Sequence, residues 1–164
     1  MVFKNGFDST TPTGRPGYTP SSAFLMVIET ALAGPTSLVY STHIDGSTIT
    51  SDAAITNEAM DVAVDSAGNA ILVGKTNTTN FRLKNALQAD SKGGLMHAFI
   101  AKINPNAKGE DSLLWSTYFG AYSTTAESVA VDDNNNIYLV GSTYGRASLP
   151  ITYTKFGTCA LNSA

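Results

Sequence analysis

The chain carries few groups capable of covalent or acid–base chemistry, and their spacing limits what they can do. Its one cysteine, Cys159, and its two histidines, His43 and His97, are the raw material for a Cys–His nucleophile pair. They fall in three separate segments, and neither a Gly-x-Ser-x-Gly elbow nor a Ser-x-x-Lys pair occurs. No catalytic residue is assigned on this basis. The carboxylates Asp45, Asp52, Glu58 and Asp61 bracket one polar stretch. Two of them could act as acid and base on a glycosidic bond if the fold brought them within roughly 5–10 Å. Asp132-Asp133-Asn134-Asn135-Asn136 sets side-chain oxygens at alternate positions, as a calcium loop does. An EF-hand loop needs Gly at its sixth place and Glu at its twelfth, where Ile137 and Thr143 stand, so no metal or other cofactor is expected. Tyr40, Trp115 and Tyr118 are rings on which a sugar could stack, and large aromatics near strand ends also pack.

Composition points to the elements that would hold these groups. The chain is 43% hydrophobic but only 14% charged, against about 25% charged in an average soluble domain. Ser, Thr, Asn and Gly fill the gap and favour turns and strands. A net charge of −3 gives no footprint for nucleic acid. No run of apolar residues is long enough for a spanning helix, so no membrane span is expected. A single cysteine excludes an intrachain disulfide. Phe24 to Ile28 followed by Ala31-Leu32-Ala33 mimics a signal peptide, but Glu29 interrupts it and a long polar stretch precedes it. The Asn77-Thr78-Thr79 sequon matters only in a eukaryotic secretory route.

Four segments recur in order. Ala23-Phe24-Leu25-Met26-Val27-Ile28 aligns with Ala98-Phe99-Ile100-Ala101-Lys102-Ile103, and Ser37-Leu38-Val39-Tyr40-Ser41-Thr42-His43-Ile44 aligns with Ser112 to Phe119 at the same offset. Val62-Ala63-Val64-Asp65 then matches Val129-Ala130-Val131-Asp132, and Leu72-Val73-Gly74 matches Leu139-Val140-Gly141, at an offset eight residues shorter. The difference is an insertion between Asp45 and Glu58. Each segment is short, rich in Val, Ile, Leu and aromatics, and bounded by Gly, Pro, Asn or Asp, so each is expected to be a strand. The turn Asp65-Ser66-Ala67-Gly68-Asn69 places Gly68 where a tight hairpin needs a positive φ. Its counterpart has Asn135 there, followed by Asn136, and Asn is the residue that best tolerates the left-handed region after Gly. Leu83 to Gln88 has room for at most two helical turns.

These phrases resemble the SBBP family of β-propeller repeats. The resemblance rests on His97-Ala98-Phe99-Ile100-Ala101-Lys102, on the strands Leu38 to His43 and Leu113 to Tyr118, and on the hairpin Ala63 to Asn69. It covers roughly residues 23 to 150. Met26 and Val27 replace the family's Ala-Lys pair, and Asp45-Gly46 and Gly120-Ala121 stand where the family usually has Gly-Gly. The resemblance implies an all-β fold of four-stranded antiparallel β-propeller blades. One full blade would span about Glu58 to Phe119, flanked by half-blades at Ala23 to Ile44 and Val129 to Thr143, in an incomplete ring. Residues 1–22 are expected to be irregular, 23–150 to form the repeat region, and 151–164 to be an irregular tail.

A blade has two apolar faces, and propellers cover them by closing a ring of four to eight blades. Two blades' worth of strands cannot close one. Three arrangements answer this: a fragment of a longer polypeptide, assembly of several chains through blade edges into a homo-oligomer, or two copies packed as a compact pair. The expected function is a non-enzymatic module for protein or glycan interaction within a larger exported or cell-surface protein. Its partner would be met by the loops Asp45 to Glu58 and Asn77 to Gly94. The alternatives are a fragment of a carbohydrate-active enzyme and a self-assembling lectin-like or structural surface protein.

Overall fold

The computed structural model describes residues 3–14, 16–49, 51–120 and 122–144. It is all-β. The strands are β1 (Ala23–Ile28), β2 (Leu38–Ile44), β3 (Asn57–Val64), β4 (Ala70–Thr76), β5 (His97–Ile103), β6 (Leu113–Phe119), β7 (Ser123–Val131) and β8 (Ile137–Tyr144). They form a two-stranded sheet β1-β2, a four-stranded sheet β3-β4-β5-β6 and a two-stranded sheet β7-β8, all antiparallel. This is the expected full blade between two half-blades. Leu83 to Gln88 is not helical. Its Lys84 bridges to Ser116 on the edge of β6.

The recurrence extends to register. Ala23 faces Ile44 and Phe24 faces His43 in the first pair, as Ala98 faces Phe119 and Phe99 faces Tyr118 in the second. Both pairs are joined through a 3₁₀ turn, Gly34–Ser37 or Gly109–Ser112, and both shift register at the same place. Met26 and Val27 leave this pairing unaltered. The inner hairpins agree as closely, with a bulge between Ala59 and Asp61 in one and between Ala126 and Ser128 in the other. The bulges explain two glycines. A Cβ on Gly74 would be driven into the Glu58 carbonyl, and one on Gly141 into that of Thr125.

Alternation along β4 and β5 sends side chains to two cores. Ala70, Leu72, Phe99, Ala101 and Ile103 face one way and pack with Ala23, Leu25, Tyr40 and Ile44 of the first half-blade. Ile71, Val73, Ala98 and Ile100 face the other way and pack with Ala126 and Val129 of the last half-blade. The full blade is thus the middle layer of a three-layer stack. Successive side chains of a strand point to opposite faces, so one blade serves both interfaces.

A fifth repeated phrase lies outside the strands. Phe3-Lys4-Asn5-Gly6-Phe7-Asp8 runs along the edge of β2 as Leu83-Lys84-Asn85-Ala86-Leu87-Gln88 runs along the edge of β6. Ser41 N donates to Lys4 O and Ser116 N to Lys84 O, and His43 N donates to Asp8 O as Tyr118 N does to Gln88 O. Asn5 and Asn85 share positive φ values of 63° and 50°, and their side-chain amides donate to Val39 O and Leu114 O. Among the described residues before β1, this part is a strap that satisfies the edge-strand backbone.

Gly74→Ala and Gly141→Ala should each cost about 1–3 kcal/mol by overpacking against backbone. Gly68→Ala meets open space at a φ of 80° and should cost about 1–2 kcal/mol through conformation alone. Urea unfolding of the three variants checks this, and a neutral Gly74→Ala would refute the bulge argument.

Candidate functional site

The two loops expected to meet a partner come together at one end of the stack. Ser47 N and Thr48 N both donate to Asn80 Oδ1, at 2.8 and 2.7 Å, and Thr79 N donates to Thr48 O at 2.7 Å. The strap's continuation, Asp8 to Thr13, forms the third wall. Between them lies a cleft of about 370 Å³ lined mainly by Asp8, Thr10, Thr13, Asp45, Asn80 and Arg82. Hydroxyls, carboxylates and a guanidinium dominate this lining; Asp45 directly follows β2, and the other lining residues lie in the strap, its continuation and the two loops.

Buried polar contacts hold the walls. Asn57 reads the whole corner: its amide donates to Ser21 O and Gly46 O at 3.1 Å each, and its Oδ1 accepts from Thr76 Oγ1 at 2.7 Å and from Gly46 N at 3.2 Å. Tyr118 fixes the Asn77 to Gly94 loop, donating to Thr78 O at 2.8 Å and accepting from Phe81 N at 2.9 Å. Arg82 pairs with Glu110 and lies 5.5 Å from the centre of the Phe7 ring.

Asp45 is the chemically distinctive group. It is buried and accepts the Ser22 hydroxyl. Burial pushes its carboxyl above the ordinary value; the Ser22 bond opposes this, the nearby Asp8 adds to it, and His43 and Arg82 pull back. Ser22 Oγ also lies 2.7 Å from His43 Nδ1. Ser, His and Asp are therefore together, but serine is in the middle. Ser22 is the shared partner of both groups, and the order is not the serine–histidine–aspartate relay in which histidine stands between nucleophile and acid.

The other carboxylates are held elsewhere. Glu58 pairs with Lys75 at 3.0 Å, and Asp52 is exposed in its loop. Asp61 accepts from Ser128 Oγ at 2.7 Å and Val129 N at 2.9 Å, which ties the full blade to β7. These bonds, the serine's first, hold its carboxyl below the ordinary range. The four acids that bracket the insertion thus have four separate surroundings.

The hairpin turns use their acids as backbone acceptors. Asp65 Oδ1 takes Ala67 N and Asn69 N at 2.9 Å each, and Asp132 Oδ1 takes Asn134 N at 2.9 Å and Asn136 N at 2.8 Å. Gly68 and Asn135 occupy the same left-handed position, with φ of 80° and 62°. Burial raises the Asp65 carboxyl, but Lys102 at 2.7 Å and the Asn69 and Ala67 donors outweigh it and hold the group well below the carboxylate range.

Tyr40 and Tyr118 are both 0% exposed, and Trp115 packs against the core shared with β7 and β8. Tyr40 reaches across the interface to Ser112 Oγ at 2.9 Å. Packing between blades occupies these rings, because equivalent positions face equivalent neighbours, and the two tyrosines offer no surface for stacking a sugar. His97 is buried edge-on to Tyr118, and burial lowers its pKa. Cys159 and the rest of 151–164 lie outside the described residues.

Asp8, Ser22, Asn57, Asn80 and Arg82 were not singled out from sequence. The phrase shared by Phe3 to Asp8 and Leu83 to Gln88 was the available signal, hidden because a longer loop after Asp8 changes its offset.

Residues 114–149 match the model of the SBBP family, described as a beta-propeller repeat. The matched stretch covers most of β6 and all of β7 and β8. The chain therefore carries a repeat of the family its phrases resemble. No curated protein and no solved structure matches the chain.

Because the folded-state pKa of Asp45 is raised, this group holds more proton in the folded chain than in the unfolded one from about pH 4 up to its raised value, and its own contribution to stability falls as pH rises through that window. Asp45→Asn, which keeps an acceptor for Ser22, should therefore raise the thermal midpoint at pH 7 and leave it nearly unchanged at pH 3. An equal effect at both values would contradict the assignment.

Proposed function

We propose that this repeat module is a non-enzymatic interaction unit of an exported or cell-surface protein, and that its partner engages the cleft between the Asp8 to Thr13, Asp45 to Ser47 and Asn80 to Arg82 walls. The observation that carries this reading is the cleft's chemistry. Carboxylate acceptors, guanidinium and amide donors and threonine hydroxyls line a concave surface formed by the strap and two loops. Such a lining suits a hydroxyl-rich glycan, whose groups both donate and accept, better than an apolar peptide. The low charge and the abundance of Ser, Thr and Asn support placement outside the cell.

A second reading, a fragment of a carbohydrate-active enzyme, has one observation in its favour. Asp8 and Asp45 share the cleft, and the Asp45 carboxyl is raised, as a general acid requires.

A glycan array followed by calorimetry separates the two. Binding that weakens at least tenfold in Arg82→Gln and Asp45→Asn, with no glycan turned over, supports the interaction module. Polysaccharide hydrolysis by the unaltered chain that vanishes in Asp45→Asn supports the enzyme. Absence of any glycan bound or cleaved at millimolar concentration would remove the assignment of the cleft.

A further inference from the structure

The repeat leaves two strands without the neighbour that their counterparts have. β4 pairs with β3 on one side and with β5 on the other. Its counterpart β8 pairs with β7 alone, and β1, the counterpart of β5, pairs with β2 alone, among the described residues. The β4–β5 seam is therefore a template, within one chain, for what fits the edge of β8. We propose that β1 of a second copy adds to β8 in the register of that seam. Gly74 opposite Phe99 becomes Gly141 opposite Phe24, Leu72 opposite Ala101 becomes Leu139 opposite Met26, and Ala70 opposite Ile103 becomes Ile137 opposite Ile28.

Two independent observations support this occupant. The first is shape. A mainly apolar cavity of about 290 Å³ lies beside β8, lined by Ala98, Phe119, Leu139, Val140 and Gly141 among others. At the corresponding place in the other interface Phe99 fills the space, stacked on Phe81 at 4.6 Å between ring centres. Phe24 is the counterpart of Phe99 and is 55% exposed, with Met26 and Ile28 exposed on the same face. In the template register these three side chains turn toward Trp115, Phe119 and Ala98 of the first copy.

The second is a matched exchange of polar groups. At the internal seam Lys102, on β5, donates to Asp65 Oδ2 at 2.7 Å. At the open edge the counterpart of that lysine is Val27, which cannot donate. The missing donor is supplied from β8 itself, where Tyr138 OH reaches Asp132 Oδ2 at 3.0 Å. In the template register Tyr138 lies opposite Val27, so ring meets aliphatic side chain and no carboxylate is left needing a cation. Both sides of the seam carry the change.

The contact is head to tail, so it closes into a ring or runs on as a filament.

The test is solution mass and chemical register. Analytical ultracentrifugation of the full chain should give a discrete oligomer, and Phe24→Asp should weaken association at least tenfold while Leu87→Asp, on another exposed surface, leaves it unchanged. In a Cys159→Ser background, Met26→Cys with Leu139→Cys should cross-link between chains under diamide, two thiols giving one disulfide as diamide is reduced. Met26→Cys with Ile137→Cys, two residues out of register, should not. A monomer at all concentrations overturns the proposal, including one whose own residues 145–164 shield the β8 amides from exchange. An oligomer that forms equally well with Phe24→Asp, or cross-links in the shifted pair, overturns it as well.

Discussion

A sheet with two apolar faces must be covered twice, and every other feature of this chain answers that requirement. Ile71 and Val73 belong to one core while Ala70 and Leu72, their immediate neighbours, belong to the other. Removing either half-blade would uncover one side of the full blade, and apolar burial at about 25 cal/mol per Å² is the main term opposing chain entropy here. The blade is therefore a layer rather than a domain, and its stability is shared with its neighbours, as in other repeat arrays.

Polar groups determine where the layers sit. Asp61 clamps the full blade to Ser128 and Val129, Tyr40 clamps the first half-blade to Ser112 of the full blade, and Asn57 gathers Ser21, Gly46 and Thr76 at one corner. Apolar contact alone tolerates sliding; directional bonds from buried or half-buried groups do not. The cleft inherits its rigidity from them, since Asp45 and Arg82 stand on segments that Ser22, Tyr118 and Glu110 restrain.

The strands, their order and the hairpin turns were legible because each has a local cause. Val62 and Val64 alternate with smaller residues, Gly68 is compatible with a positive φ, and Asn135 is its nearest substitute. The insertion between Asp45 and Glu58 was visible as a change of offset. The cleft was not legible, because Asp8, Asp45 and Arg82 are brought together by stacking and by a strap whose offset differs from that of the strands. Tyr40, Trp115 and Tyr118 show the same limit. Sequence marks a recurring ring but not whether the next layer lies on top of it. The burial of the two tyrosines follows from the stack and not from the strand that carries them.

The strap has a consequence for how such a chain reaches its fold. Nearly interchangeable outer pairs, β1-β2 and β5-β6, invite the wrong partner to dock while synthesis is still under way. Lys4 to Asp8 and Leu83 to Gln88 each precede the pair they border, so each outer border is closed by residues already made when its strands emerge. The opposite border has no such strap among the described residues; in the full blade it is the β4–β5 seam, where Lys102 meets Asp65. Wrong pairing is thus obstructed along one side, and along the other the choice falls to the strands themselves.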